Sequence, residues 1–222
     1  MGYQLDFGAL LQYLGFFLEG TAVTLGLTAV ASLFGIIIGV AGAAAMLSRK
    51  LWLRRLVAGY VELIRNTPFI VQMFFLFFGL PSIGLRLSAL SAAALAMTIN
   101  LAAYAIEIIR AGLEGVPPGQ SEAAKTLGLR ALPVFGLVIL PQALANVYPA
   151  LVGQITITML ESAVVSQIAV VDLTHVADFI QSRNFRSFET YLVVTVIYLF
   201  LAIVMRRLLV FAGRGLFAGR VL

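Results

Sequence analysis

Cysteine is absent from all 222 residues, which rules out a disulfide framework and a thiolate metal site alike. Charge is nearly as scarce. Only 11% of the residues are Asp, Glu, Lys or Arg, whereas soluble domains carry roughly 25%, so a water-exposed fold of this composition would lack polar surface. No GxxxxGK(S/T) phosphate loop occurs anywhere, so the chain is expected to be no enzyme and to hydrolyse no ATP by itself. No basic region precedes the first apolar run either. Arg49 and Lys50 follow that run, so a retained span is expected rather than a cleaved leader, although Ala43-Ala44-Ala45 has the look of a cleavage site.

What the chain has instead is apolar bulk. Hydrophobic residues make up 61% of it, and the mean hydropathy is +1.03. Lipid faces such an excess directly, so the fold expected is all-α, a polytopic membrane helix bundle. A transmembrane barrel would need alternating segments of about ten residues, and the apolar runs here are longer and continuous. One crossing takes about 20 apolar residues at a rise of about 1.5 Å each. About five stretches qualify: about Thr21 to Leu47, Leu56 to Leu80, Leu87 to Ile109, Val134 to Val171 and Tyr191 to Phe211. The fourth is long enough to contain a bend or a re-entrant portion.

Five spans put the termini on opposite sides, and the 15 lysines and arginines choose between the two orientations. With the N-terminus outside, Arg49, Lys50, Arg54, Arg55, Arg65, Arg110, Lys125, Arg130, Arg206, Arg207, Arg214 and Arg220 fall on or near the cytoplasmic face. Only Arg86, Arg183 and Arg186 remain outside, and the bias predicts N-out, C-in. A net charge of +5 spread in this way is not a nucleic-acid surface. With no internal repeat, one transmembrane domain over residues 1–222 is the simplest organisation. Gly35 and Gly39 form a GxxxG pair in the first span, a spacing that lets helices approach closely.

Between the third and fourth spans lies a polar, helix-forming insert. Pro117-Pro118-Gly119 ends what precedes it. Ser121 is the expected N-cap, Glu122 sits at the positive end of the helix dipole, and Gly128 suits the left-handed stop. A short helix from Glu122 to Leu127 follows from these signals. By composition alone it is either a solvated loop helix or a docking helix.

The pattern around it is more specific. Glu122-Ala123-Ala124, Gly128 and then Val138, Leu140 and Pro141 resemble the EAA loop of permease subunits in ABC-type importers. Val138 stands where isoleucine is more usual. Tyr60-Val-Glu-Leu-Ile-Arg-Asn-Thr-Pro68 resembles an element of the polar amino-acid branch, with Asn66 in place of its usual glycine. Gly20-Thr21 with Thr24-Leu25, Ala103-Tyr104 with Glu107 and Arg110, Pro118-Gly119-Gln120 and Pro141-Gln142-Ala143 match as well. The resemblance implies a type I importer fold in a bacterial plasma (inner) membrane, crossed several times. It also implies a second permease subunit (identical or different), a cytoplasmic ATPase dimer, an extracytoplasmic solute-binding protein and an amino-acid substrate. Glu122, Ala123, Ala124 and Gly128 would couple to the ATPase, within a segment of about residues 114–133. This chain would hold no cofactor, with ATP and Mg on the partner.

Charges and polar groups inside spans are costly, roughly 2.5–3.5 kcal/mol for a central charge on insertion scales, and so carry functional weight. Asn100, Tyr104 and Glu107 share one helical face, as do Gln154, Thr158, Glu161 and Ser162. The two faces are candidate linings of a translocation pathway. The plainer readings are a Glu107 pair with Arg110 or Arg65, interhelical hydrogen bonds from Asn100 and Tyr104, and an interfacial Glu62–Arg65 pair. In the resembling family the stretch at Met159 to Ser166 usually carries a lysine where Leu160 stands, and the acid persists as Glu161. Glu107 and Glu161 would favour a cationic amino acid. The lone His175, between Asp172 and Asp178, is a thin basis for a metal, and a helix facing the binding protein is expected there. Competing functions are an ion-coupled secondary transporter and a non-transporting membrane assembly protein. The first usually shows more spans and internal repeats, and neither calls for a capped polar helix at this spacing.

Overall fold

The computed structural model describes residues 4–217, and no β-strand occurs among them. The helices are α1 (Leu14–Met46), α2 (Leu51–Arg65), α3 (Phe69–Phe74), α4 (Ala89–Glu114), α5 (Pro118–Thr126), α6 (Ala131–Pro133), α7 (Leu140–Glu161), α8 (Leu173–Asn184) and α9 (Ser187–Leu216). Four helical stretches are long and apolar enough to cross a membrane: Gly8–Met46, Ala89–Glu114, Ala131–Ile168 and Ser187–Leu216. Leu51–Arg65 and Phe69–Ile83 supply a fifth if that broken pair is one span. Four of the spans expected from apolar length are therefore present, with displaced ends, and the expected second corresponds to the broken pair. The first begins earlier, at Gly8, and the fourth stops at Ile168 rather than Val171.

The long helices are apolar around most of their circumference. Leu18, Leu25, Leu33, Phe34 and Ile37 of α1 and Leu199, Phe200, Ile203 and Phe211 of α9 are exposed, as suits helices bathed in lipid. The second span breaks at Asn66-Thr67-Pro68, because proline forces the residue before it out of the helical region. The Asn66 side chain donates to the Glu62 carbonyl at 2.8 Å and so closes the end of α2. Its φ of −100° is an ordinary value, which explains why asparagine serves where the resembling element has glycine. In the fourth span a π-helical turn, Val134–Ile139, precedes Pro141, a residue with no N–H to give. At the far end α7 tightens into a 3-10 stretch, Ser162–Ile168, which ends on Ala169 with a left-handed φ of 60°.

Two compact units can be distinguished. One comprises Met1–Ser32, Thr67–Thr98 and Thr156–Met205, and the other Leu33–Asn66, Ile99–Ile155 and Arg206–Leu222. The first holds a core of Leu27, Ala31, Met73, Ala92, Ala96, Met97 and Val165 and a second cluster around Phe17, Met159, Val176, Ile180 and Val194. α8 starts from Asp172, whose carboxylate accepts the His175 N–H at 2.9 Å. Gly20 makes the close contact beneath it. A β-carbon there would stand 2.9 Å from the Asp172 carbonyl and the Leu173 α-carbon.

The second unit is built on small residues. Gly35 faces Leu101 and Gly39 faces Ala105, with ideal β-carbons at 3.0 and 2.7 Å from them, and Gly42 faces Ile106 more closely still. The GxxxG pair thus lets α1 lie directly on α4. Ile106 also joins Val57 and Val61 of α2, so α4 is the shared wall of this unit.

Candidate coupling segment and polar cavity

α5 is longer than its sequence signals imply. It starts at Pro118, with Pro117 as the residue before the first turn and no side-chain cap. Proline suits that first position, where an N–H would have no partner. Ser121 is therefore not the N-cap. It lies inside the helix and donates to the Pro118 carbonyl at 2.9 Å. The stop is as expected. Gly128 has φ +81°, its N–H reaches the Lys125 carbonyl at 2.9 Å, and the Leu129 N–H reaches the Ala124 carbonyl at 3.2 Å. Those two bonds are a Schellman close. α5 rests on the Val134–Ile139 turn, with Ala124 buried and Glu122 and Ala123 exposed. Leu127 and Leu132 stand 82% and 80% exposed beside them, an apolar patch on an otherwise polar segment.

The second unit also contains a polar cavity of about 430 Å³, lined by Met46, Ala58, Val61, Glu62, Arg65, Asn66, Tyr104 and Glu107. Through Glu107 it meets an ion network along α4. Arg110 grips both oxygens of Glu107 at 3.1 Å and reaches Glu114 at 2.8 Å. Arg65 of α2 approaches Glu107 less closely, at 3.4 Å, and lays its guanidinium over the Tyr104 ring at 5.3 Å. Tyr60, one turn earlier, donates to the Ile99 carbonyl at 2.6 Å and pins α2 to α4.

The expected Glu62–Arg65 pair is not formed. Arg65 turns toward Glu107, and the Glu62 carboxylate has no ion-pair partner among the described residues. Sequence spacing brought Tyr104 and Glu107 to one face, and both line this cavity, whereas Asn100 is buried elsewhere on α4. Thr158, Glu161 and Ser162 belong to the first unit. Thr158 and Ser162 are buried there, and Ser162 donates to the Met159 carbonyl at 2.7 Å. Glu161 is half-buried.

One constellation was not read from the sequence. Asp172 is fully buried, caps α8 and takes the Tyr198 hydroxyl at 3.3 Å, while Thr24 accepts the Leu173 N–H. Burial pushes its carboxyl above the ordinary aspartate range, against the hydrogen bonds from His175, Thr174 and Tyr198 that pull it down. The available signal was an acid in the N-cap position before Leu173-Thr174-His175. No group of three His, Asp or Glu side chains fit to hold a metal occurs among the described residues.

Comparison with known proteins agrees with this architecture. A family model described as "Binding-protein-dependent transport system inner membrane component" matches residues 13–217. The arginine transport system permease protein ArtQ of Bacillus subtilis is 32% identical over 205 residues, covering 90% of this chain and 92% of its own. A Rickettsia conorii protein whose name assigns it to glutamine transport is 34% identical over 184 residues, 82% of this chain and 84% of its own. Among solved structures, a crystal structure of an amino acid ABC transporter with histidines superposes with a TM-score of 0.86 at 37% identity, covering 96% of this chain and 99% of that one. The MetNI methionine transporter shares the fold, with a TM-score of 0.79 at 20% identity. The chain belongs to the binding-protein-dependent transport system inner membrane components and is a permease subunit of an ABC importer.

Proposed function

We propose that the importer containing this subunit carries a polar amino acid, and that α5 is the surface through which ATP hydrolysis is coupled to it. The observation that carries the coupling is the exposed, sharply stopped α5, with Glu122 and Ala123 presented outward and Gly128 in a left-handed turn. The substrate class rests on the relatives named for arginine and glutamine transport.

In this reading residues 1–222 form one transmembrane permease domain with a coupling segment at about 114–133, N-out and C-in in a bacterial plasma membrane. It pairs with a second permease subunit. A cytoplasmic ATPase dimer binds ATP and Mg, and an extracytoplasmic binding protein delivers the solute. Nucleotide-driven closure of the ATPases draws the two coupling helices together and opens the pathway outward, and hydrolysis resets it. Asn100, Tyr104, Glu107, Thr158, Glu161 and Ser162 are the pathway residues in this reading.

Reconstitution of the chain with a cognate ATPase and binding protein tests the reading. Individual amino acids should stimulate ATP hydrolysis and be accumulated. Stimulation by none of the twenty would overturn the substrate class. Winning competition by acidic amino acids over arginine, lysine and histidine would refute a cationic preference arising from Glu107 and Glu161.

A further inference from the structure

We propose that the cavity between α2 and α4 is a holding site for the charged end of the transported amino acid, with Arg65 taking its carboxylate and Glu62 its ammonium group. The inference rests on the amino-acid reading above. Glu62 and Arg65 lie three residues apart on α2 and therefore share a face. Both line one cavity, yet they do not pair with each other. Arg65 is drawn to within 3.4 Å of Glu107, and the Glu62 carboxylate forms no ion pair among the described residues. An opposed acid and base left apart in a cavity fit a ligand that carries both charges on neighbouring atoms.

The charges around the cavity narrow the ligand class further. Arg110 already holds both Glu107 oxygens at 3.1 Å and Glu114 at 2.8 Å. Glu107 is thus well neutralised, and the longer Arg65 contact is the weaker of its two. What remains for a ligand is one guanidinium, 41% exposed at its side chain, and one carboxylate outside the ion network. A zwitterion neutralises both. A simple anion would engage only Arg65 and a simple cation only Glu62, both of which are exposed to the cavity. Arginine's planar fork also suits a carboxylate better than a point charge does. Met46, Ala58 and Val61 form an apolar wall beside the Tyr104 ring, room for a side chain. The cavity of about 430 Å³ falls in the usual range for small-molecule sites, about 300–1,000 Å³.

The test uses this chain assembled with its ATPase in lipid nanodiscs without binding protein, and the probes are radiolabelled arginine and glutamine and their methyl esters. Wild-type complex should bind the free amino acids saturably and the esters about tenfold more weakly. Glu62→Gln should weaken binding of both free amino acids about tenfold. Since this carboxylate holds no ion-pair partner, folding should be untouched. Arg65→Gln should abolish discrimination against the esters, and Arg65→Lys should restore part of it. Unchanged affinities in Glu62→Gln, retained ester discrimination in Arg65→Gln, or no saturable binding to wild type with uptake intact would each overturn the proposal. Failure of the full wild-type system to accumulate any amino acid would instead overturn the broader reading.

Discussion

Gly39→Ala should loosen the second unit, and the size of the effect follows from one distance. An ideal β-carbon on Gly39 stands 2.7 Å from the Ala105 β-carbon and 3.3 Å from Ile109 Cδ1. Carbon atoms pack best at about 3.5–4.0 Å, so the two helices must part by about 1 Å. Ala105 is fully buried and has no rotamer to turn away. Overpacking of this kind costs about 1–3 kcal/mol, and the gain in helix propensity returns about 0.5–1 kcal/mol. A net loss centred on about 1 kcal/mol is expected. Gly26 on the same helix is the control, with nothing within 4 Å of its ideal β-carbon, so Gly26→Ala should be neutral to stabilising. Denaturant unfolding in mixed micelles, followed by the fluorescence of Trp52, the single tryptophan, measures both. Equal stability of Gly39→Ala and wild type, or destabilisation by Gly26→Ala alone, would refute the close-packing argument.

Other perturbations probe the remaining sites. Glu122→Lys and Gly128→Asp should leave membrane insertion intact while lowering solute transported per ATP hydrolysed, and normal uptake in both counts against α5 as the coupling helix. At the same turn, Gly128→Ala should cost about 1–2 kcal/mol for its left-handed φ, with Gly128→Asn milder, measurable as local amide-exchange rates. Tyr60→Phe removes the bond to the Ile99 carbonyl at 2.6 Å and should lower stability by about 0.5–1.5 kcal/mol. Asp172 gives a pH test. Burial raises its folded-state pKa above the unfolded value of about 3.9, so its protonated form favours folding. That contribution is complete below about pH 3.9 and fades as pH rises through the folded-state value. Asp172→Asn keeps a cap but cannot ionise, so its thermal stability should gain on wild type as pH rises above about 4 and level off once the folded-state carboxyl has ionised. A difference independent of pH would contradict the burial argument.

Much of this protein follows from chemistry that is local in the chain. Apolar length gave about five spans because a helix must satisfy its own backbone in lipid. Gly128 announced its left-handed turn, and Gly35 and Gly39 announced a close helix contact, since each needs only its own lack of a side chain. The spacing from Glu122 to Pro141 pointed to the importer family to which the chain belongs. Signals with two nearby solutions were decided otherwise. Ser121 and Pro118 both suit a helix start, and the position where an N–H has no partner went to proline. Arg65 had Glu62 three residues away and Glu107 on another helix, and only the packing of α2 on α4 turned it to Glu107 over the Tyr104 ring. Asp172 has the sequence signature of a solvent-facing acid, and it is buried because Gly20 and Tyr198 fold around it. Sequence alone determines what a residue does with its own backbone and its near neighbours along one helix. Which partner a long, charged side chain takes depends on distances between helices, and those exist only once the chain has packed.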